Sequence, residues 1–322
     1  MALENLLISH EGLFHIDGKS LWAQIDAIGG KDNEVEVLCD NLVKLWLKRM
    51  SSCLTNENRT IETENFFIFS SRSEEETKLL ENFVEPCLKR SLKNLEGVAD
   101  DSGNGKHVVL AFGDADEYYR YLSYYYPEDS GHSAGSSGVL LNSGYQHLAL
   151  APGDYNDCEA TLAHELSHAL VSYLPMPLWL NEAIAVSNES SIIGLPSAIY
   201  NPDALRIVTT FWNKDNISTF WDGSSFQDVE AAIPSYYLAE MIFAKISHIS
   251  AKKTKIFINT ADHRDGGEIA INSIFNTTMN SFVSSILGPG EWIETNFVSQ
   301  KPSNRSILGW LFELLKPKSK RE

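Results

Sequence analysis

Two histidines four residues apart are the strongest chemical signal in the sequence. His164 and His168 enclose Glu165 in the segment HELSH. In a helix, residues four apart are separated by about 40° around the axis and ~6 Å along it, so both imidazoles would face one point. Imidazole nitrogen is a favoured ligand of zinc. The spacing therefore predicts a chelated metal ion, with Glu165 beside the first ligand.

The surrounding residues favour a helix that contains this segment. Asn156 is a suitable N-cap residue, and Glu159 three residues later completes a capping-box pattern. Pro175 and Pro177 prevent the helix from continuing beyond about Leu174. A second helix that begins after this proline turn would fold back on the first.

Glu182 is the candidate for a third ligand. It lies in the segment LWLNEAIA, where a second helix would return a carboxylate to the two imidazoles. A catalytic zinc site has three protein ligands and leaves a fourth position to water, from which Glu165 could take a proton. The alternatives are two hydrogen-bonded core histidines and a glutamate that caps its helix or forms an ion pair. We favour the metal because it satisfies both imidazoles more simply.

These two segments resemble the gluzincin zinc metallopeptidases, specifically their compact peptidase MA-like domains. The family pattern is H-E-L-[ST]-H, a short turn with proline, and then W-L-x-E-G-x-A. This chain has HELSHAL and PLWLNEAIA, with Ala183 at the position where the family usually has glycine. One small residue replaces another, so we expect the neighbouring ligand to stay in place. The resemblance is specific over residues 156–190 and looser from about residue 65.

The resemblance implies zinc-dependent hydrolysis of a peptide or protein substrate. The implied ligands of Zn²⁺ are His164, His168 and Glu182, and the implied general base is Glu165. The G-x-M-E-N motif of related aminopeptidases does not occur in the sequence, so an aminopeptidase is disfavoured. The alternative from another class is a catalytically inactive, zinc-stabilised binding or regulatory module that retains the gluzincin site.

The resemblance also implies roles outside the metal ligands. A downstream tyrosine or histidine supports the oxyanion in such enzymes, and the candidates are Tyr236 and Tyr237, with His263 ranked behind them. Packing of both tyrosines in the core is the alternative. The strand before the active-site helix, here His147–Leu150, would lie at the edge of the cleft and pair with an extended peptide substrate.

The hydrophobic pattern predicts an α+β fold, which the resemblance makes zincin-like. We expect a small mixed sheet with the active-site helix, followed by a mainly helical C-terminal lobe. Residues 1–60 are predicted to be an N-terminal helical region of unknown role, and residues 61–300 the peptidase MA-like domain. Strands are predicted at 66–69, 106–112, 139–141 and 147–150, and helices at 74–95 and 114–125.

Residues 301–322 are predicted to be an amphipathic segment with a basic tail. An apolar stretch at 307–315 is followed by Lys316, Lys318, Lys320 and Arg321. A helix that packs on its own domain is the favoured interpretation. Weak contact with an anionic membrane surface, or with a partner, is the alternative.

Charge and cysteine content exclude several other classes. The net charge is −17, and no basic face occurs before residue 300, which argues against binding to nucleic acid. The four cysteines contain no C-x-x-C pair, so a thiolate metal site or a disulfide framework is not indicated. The sequence offers no signal peptide and no apolar run of the ~20 residues that a spanning helix needs. We therefore expect a cytoplasmic protein without a transmembrane segment.

Overall fold

The computed structural model of this chain describes residues 3–29, 32–54, 56–103, 105–127 and 137–293. The architecture is mixed α+β, as the hydrophobic pattern predicts. Within the described residues the chain divides into two units. Among these residues, the first unit comprises the chain up to Lys89 and Asp101–Leu162, and the second comprises Arg90–Asp100 and residues 163–293. The predicted C-terminal tail at 301–322 lies outside the described residues.

A β-hairpin precedes the helices of the N-terminal region. Strand β1 (Leu7–His10) pairs antiparallel with β2 (Leu13–Ile16). The two residues between them, Glu11 and Gly12, have φ values of 47° and 79°, as a two-residue hairpin turn of type I′ requires. Helices α1 (Gly18–Ile28) and α2 (Asp32–Ser51) follow. The prediction of helix from the first residue is therefore wrong, because the Glu-Gly turn reverses the chain.

The larger sheet has five strands in the order β3-β4-β5-β7-β6. Strands β4, β5 and β7 are parallel neighbours, whereas β3 and β6 each pair antiparallel at the two ends. The strands are β3 (Arg59–Glu62), β4 (Phe66–Ser70), β5 (His107–Ala111), β6 (Gly138–Leu141) and β7 (His147–Leu150). The predictions of β4 to β7 are confirmed. Strand β3 is not among the predicted strands, because Ile61 is its one apolar residue.

The position of β7 corrects one implication of the gluzincin resemblance. His147–Leu150 lies between β5 and β6, so both of its backbone edges are paired within the sheet. It therefore has no free edge for an extended substrate. The strand at that edge of the sheet is β6. It pairs with β7, and β7 in turn pairs with β5.

Helices α2 and α4 (Ala115–Leu122) pack on the sheet of the first unit. Helix α3 (Glu74–Asn94) follows β4, and α4 begins at the N-cap Asp114, whose side chain accepts from the backbone N–H of Glu117. One core cluster joins alternate residues of β4 and β5 to aromatic residues of α2 and α4. Its members include Phe67, Phe69, Val108, Leu110, Trp46, Tyr118 and Tyr121.

The second unit is built from helices in its described part. Helix α5 (Tyr155–Val171) begins in the first unit and ends in the second, before the predicted proline turn. Helix α6 (Leu178–Ile193) follows that turn, confirming the predicted pair of helices. The remaining helices are α7 (Pro202–Phe211), α8 (Ser218–Asp222), α9 (Ala232–Ile249), α10 (Ala251–Thr260), α11 (Glu268–Phe275) and α12 (Met279–Leu287). Within the described ranges, no helix is both long and apolar enough to cross a membrane.

Candidate metal centre

Helix α5 places the two histidines of the HELSH segment side by side. The rings of His164 and His168 are 4.6 Å apart between centroids and nearly perpendicular to each other. His164 is fully buried, and the side chain of His168 retains 12% exposure. The predicted N-cap is wrong in detail, because the helix already includes Asn156 and the carboxylate of Glu159 accepts from the Tyr155 hydroxyl. This difference leaves the face of the helix unchanged.

Helix α6 brings Glu182 to the same point. The Oε2 atom of Glu182 lies 3.2 Å from Nε2 of His164 and 3.5 Å from Nε2 of His168. The three residues each offer one ligand atom, and these atoms lie within 4.8 Å of one another. The sequence predicted this convergence, and the group could hold a metal ion.

Trp179 fixes the start of helix α6, which carries the third residue of this group. The helix begins after Pro177, whose side chain makes no capping hydrogen bond. The buried indole of Trp179 donates its N–H to the carbonyl oxygen of Gly266, 3.0 Å away, and the helix then packs along α9. Ala183, next to Glu182, is fully buried. The apolar residues around the glutamate thus hold its backbone in the interior of the second unit.

Glu189 contacts the ring nitrogen of His164 that does not face Glu182. Its Oε2 atom lies 3.0 Å from Nδ1 of His164, and the carboxylate is buried. This contact orients the ring and leaves Nε2 to face Glu182 when Nδ1 donates its proton to Glu189. Sequence reasoning missed this residue. Its signal is the spacing of seven from Glu182, which returns to the same face of a helix within about 20°.

The buried charges of the group act strongly on each other. Burial lowers the pKa of His164, but its contacts with Glu182 and Glu189 outweigh burial and raise the pKa to about 10. Burial raises the pKa of Glu182, but the imidazoles of His168 and His164 lower it to about 2. Glu165 is also buried, with 1% exposure. Two buried carboxylates thus face the imidazoles, and the charge of a third, Glu165, acts on Glu189, an arrangement that favours additional positive charge.

The two tyrosines named as oxyanion candidates differ in their surroundings. The ring of Tyr236 lies 6.4 Å from the ring of His164, edge to face. Burial raises the pKa of Tyr237 to about 12, and the charged groups that add to this effect are Glu240 and Asp203. His263 lies beside the proline turn, and its ring nitrogen Nδ1 is 3.1 Å from the carbonyl oxygen of Pro175. Of the three candidates, Tyr236 has a contact with a residue of the metal group.

No protein-family model matches the chain, and no curated protein matches it. The gluzincin resemblance therefore stays a prediction that rests on the residues of two segments.

Proposed function

We propose that this protein is a zinc-dependent metallopeptidase with a zincin-like arrangement, acting on a peptide or protein substrate. The observation that carries the proposal is the convergence of His164, His168 and Glu182 within 4.8 Å, in the interior of the second unit. Glu165 follows the first of these residues in the chain and is the proposed general base. Because Glu165 is next to a metal-group residue in the chain, the proposal extends from metal binding to hydrolysis.

The donor set and its spacing support zinc as the metal. Two imidazoles and one carboxylate form a donor set of catalytic zinc sites, with bonds of about 2.0–2.2 Å. Two ligands on a tetrahedron of that size are roughly 3.4 Å apart. The separations from Glu182 to His164 and His168 are 3.2 and 3.5 Å, which fit this spacing. A divalent cation would also offset the excess of buried carboxylates.

Zinc, when bound, would supply a Lewis acid that polarises water and the substrate carbonyl. Glu165 would accept a proton from the attacking water on a carboxylate oxygen and pass it to the departing amine nitrogen. Burial of Glu165 supports this role, because a carboxylate that is shielded from bulk water transfers protons to the reacting groups rather than to solvent. Glu189 would hold the ring of His164 in place during the reaction.

Tyr236 is the proposed donor to the oxyanion. Its hydroxyl would donate a hydrogen bond to the oxygen that gains charge when water attacks the carbonyl. The edge-to-face contact with His164 supports Tyr236 over Tyr237. Tyr237 lies in an electrostatic environment set by Glu240 and Asp203, which disfavours the charge that an oxyanion would add.

The experiment that tests this function replaces Glu165 with glutamine. Zinc content, measured by mass spectrometry of the purified protein, should stay near one per chain, while cleavage of a broad peptide library falls by about 10²–10⁴-fold. The matched control is Glu159→Gln in the same helix, which should keep both properties. Equal turnover in Glu165→Gln, or cleavage that survives a chelator, would contradict the proposal. A chain that binds zinc and cleaves no peptide would instead support the inactive binding module.

A further inference from the structure

A second polar contact joins α5 and α6 outside the metal group. The side-chain amide of Asn188 donates to Oγ of Ser167, 2.8 Å away, and to Oγ of Ser91, 2.9 Å away. Its carbonyl oxygen accepts from the amide of Asn94 at 2.8 Å. Asn188 is 3% exposed, and the two serines are fully buried. Asn188 therefore has both amide hydrogens and its oxygen engaged inside the protein.

The direction of these hydrogen bonds is fixed by a fourth contact. The hydroxyl of Ser167 donates to the carbonyl oxygen of Ala163, 2.7 Å away in the same helix. Because that hydroxyl has one proton, its oxygen is left to accept from the amide of Asn188. A slide of α6 by one residue would move the amide by ~1.5 Å and leave buried polar groups without partners. The contact therefore specifies one register of the two helices.

This contact and the metal group lie on different sides of α6. Asn188 follows Glu182 by six residues, which places it about 120° away around the helix. It also directly precedes Glu189, and Ser167 directly precedes His168. The two helices are thus joined at two points, one at the metal group and one at Asn188.

The end of α3 also contacts Asn188, through Ser91 and Asn94. Ser91 and Asn94 belong to its last turns, and the residues that follow are bound to the last turn of α5 and the segment after it. The backbone N–H of Asp100 donates to the carbonyl oxygen of Leu170 at 2.8 Å, and the Tyr173 hydroxyl donates to the carbonyl oxygen of Val98 at 2.6 Å. The partners of Asn188 are therefore themselves anchored within the second unit.

We infer that Asn188 is a positioning residue for the metal centre. Through Ser167 and Ser91 it sets the register of α6 against α5, and this register sets the distance from the Glu182 carboxylate to the two imidazoles. The inference rests on the proposed zinc site, and it assigns to Asn188 an effect on metal affinity that an equal loss of stability elsewhere in the unit would not produce. Asn188 itself contributes no ligand.

The test measures the zinc affinity of Asn188→Ala by competition with a chromophoric chelator. Removal of residues that orient metal ligands costs about 10–100-fold in affinity, and we expect a loss in that range. Ser167→Ala is the second variant, because it removes the same contact with a smaller change in volume and serves if Asn188→Ala does not fold. Thermal unfolding of the metal-free proteins gives the effect on stability separately.

Ser235→Ala is the matched control for Ser167→Ala. Ser235 is a fully buried serine of α9 whose hydroxyl lies 2.7 Å from the carbonyl oxygen of Ala231 in its own helix and 2.7 Å from Oγ of Ser225. Its loss should lower stability to a similar extent and leave zinc affinity within about twofold. Zinc affinity in the folded Asn188 or Ser167 variant that is no weaker than in Ser235→Ala would overturn the inference. Failure of the unaltered chain to bind zinc would refute the proposed function itself.

Discussion

The two units each bury histidines, and the two groups differ in the charge that their surroundings favour. In the first unit, burial lowers the pKa of His15 to about 3 and that of His147 to about 4. In the second unit, the contacts of His164 raise its pKa to about 10 despite complete burial. All three side chains are at most 1% exposed. Burial alone therefore does not decide whether the surroundings of a histidine favour its neutral form or a positive charge on the ring.

The partners of the rings account for the difference. In the first unit, Nε2 of His147 lies 2.7 Å from the Tyr121 hydroxyl, and Nδ1 of His15 lies 3.3 Å from the Tyr125 hydroxyl. A hydroxyl can pair with a neutral imidazole as donor or acceptor. In the second unit, both nitrogens of His164 face carboxylates, Glu182 and Glu189. Carboxylates near an imidazole favour positive charge, whether it comes from a proton or from a metal.

The largest expected effect is a loss of zinc affinity when a histidine of the second group is replaced, with no such loss in the first group. His164→Gln should weaken zinc binding by about 10³-fold, because the 10–16 kcal/mol of a structural zinc site corresponds to roughly 4 kcal/mol per ligand. His147→Gln should leave zinc affinity unchanged, since its ring pairs with the Tyr121 hydroxyl and the Tyr145 carbonyl oxygen instead of a carboxylate in the described part of the chain. Isothermal titration with zinc measures both. Equal affinities in the two variants would remove the distinction between the groups.

The tyrosine beside each histidine gives a second comparison, in which the expected effects differ in kind. Tyr236→Phe should lower kcat by about 10²–10³-fold, the usual loss of one oxyanion donor, and should leave zinc content intact. Tyr121→Phe should lower the free energy of unfolding by about 1 kcal/mol through the lost hydrogen bond and leave kcat unchanged. Steady-state kinetics on a cleaved peptide and urea unfolding measure the two quantities. Full activity in Tyr236→Phe would exclude its oxyanion role.

The third and weakest contrast between the two groups is a pH dependence of stability that arises from His147 in the first unit. The pKa of His147 is about 4 in the folded chain and 6.5 in its ordinary state, so the unfolded chain binds more protons between these values. Stability should therefore fall as the pH drops below 6.5, by on the order of 1–2 kcal/mol for this residue between pH 7 and 5. Urea unfolding at both pH values measures the change. His147→Gln should reduce it, and an identical pH dependence in the variant would argue against a buried neutral imidazole.

The sequence predicted the centre of the site because helical spacing fixes it. His164 and His168 needed only a helix, and the proline turn returned Glu182 to them. Glu189 was missed, although its spacing from Glu182 is equally regular, because the motif directed attention to residues that bind the metal directly. Asn188 could not be found from spacing at all, since its partners lie on α3 and α5 and come together only in the folded chain.

The fold could be predicted where the hydrophobic pattern is strong, and the prediction failed where the pattern is short. Strands β4 and β5 are continuous apolar runs, and their existence follows from composition. The hairpin of β1 and β2 has four residues per strand, so its two-residue turn is the main signal. The edge position that the gluzincin resemblance implies for β7 is wrong, because the local pattern does not show which of two neighbouring strands pairs with the rest of the sheet.

The buried alanine after the third metal-group residue has a consequence for the metal-free protein. Alanine is favoured over glycine in a helix interior by about 1 kcal/mol, because glycine loses more backbone freedom when it becomes helical. With Ala183 in place of glycine, α6 is less prone to open next to Glu182. The carboxylate is then preorganised before any ion arrives, and less of the free energy of ion capture is consumed in ordering the backbone.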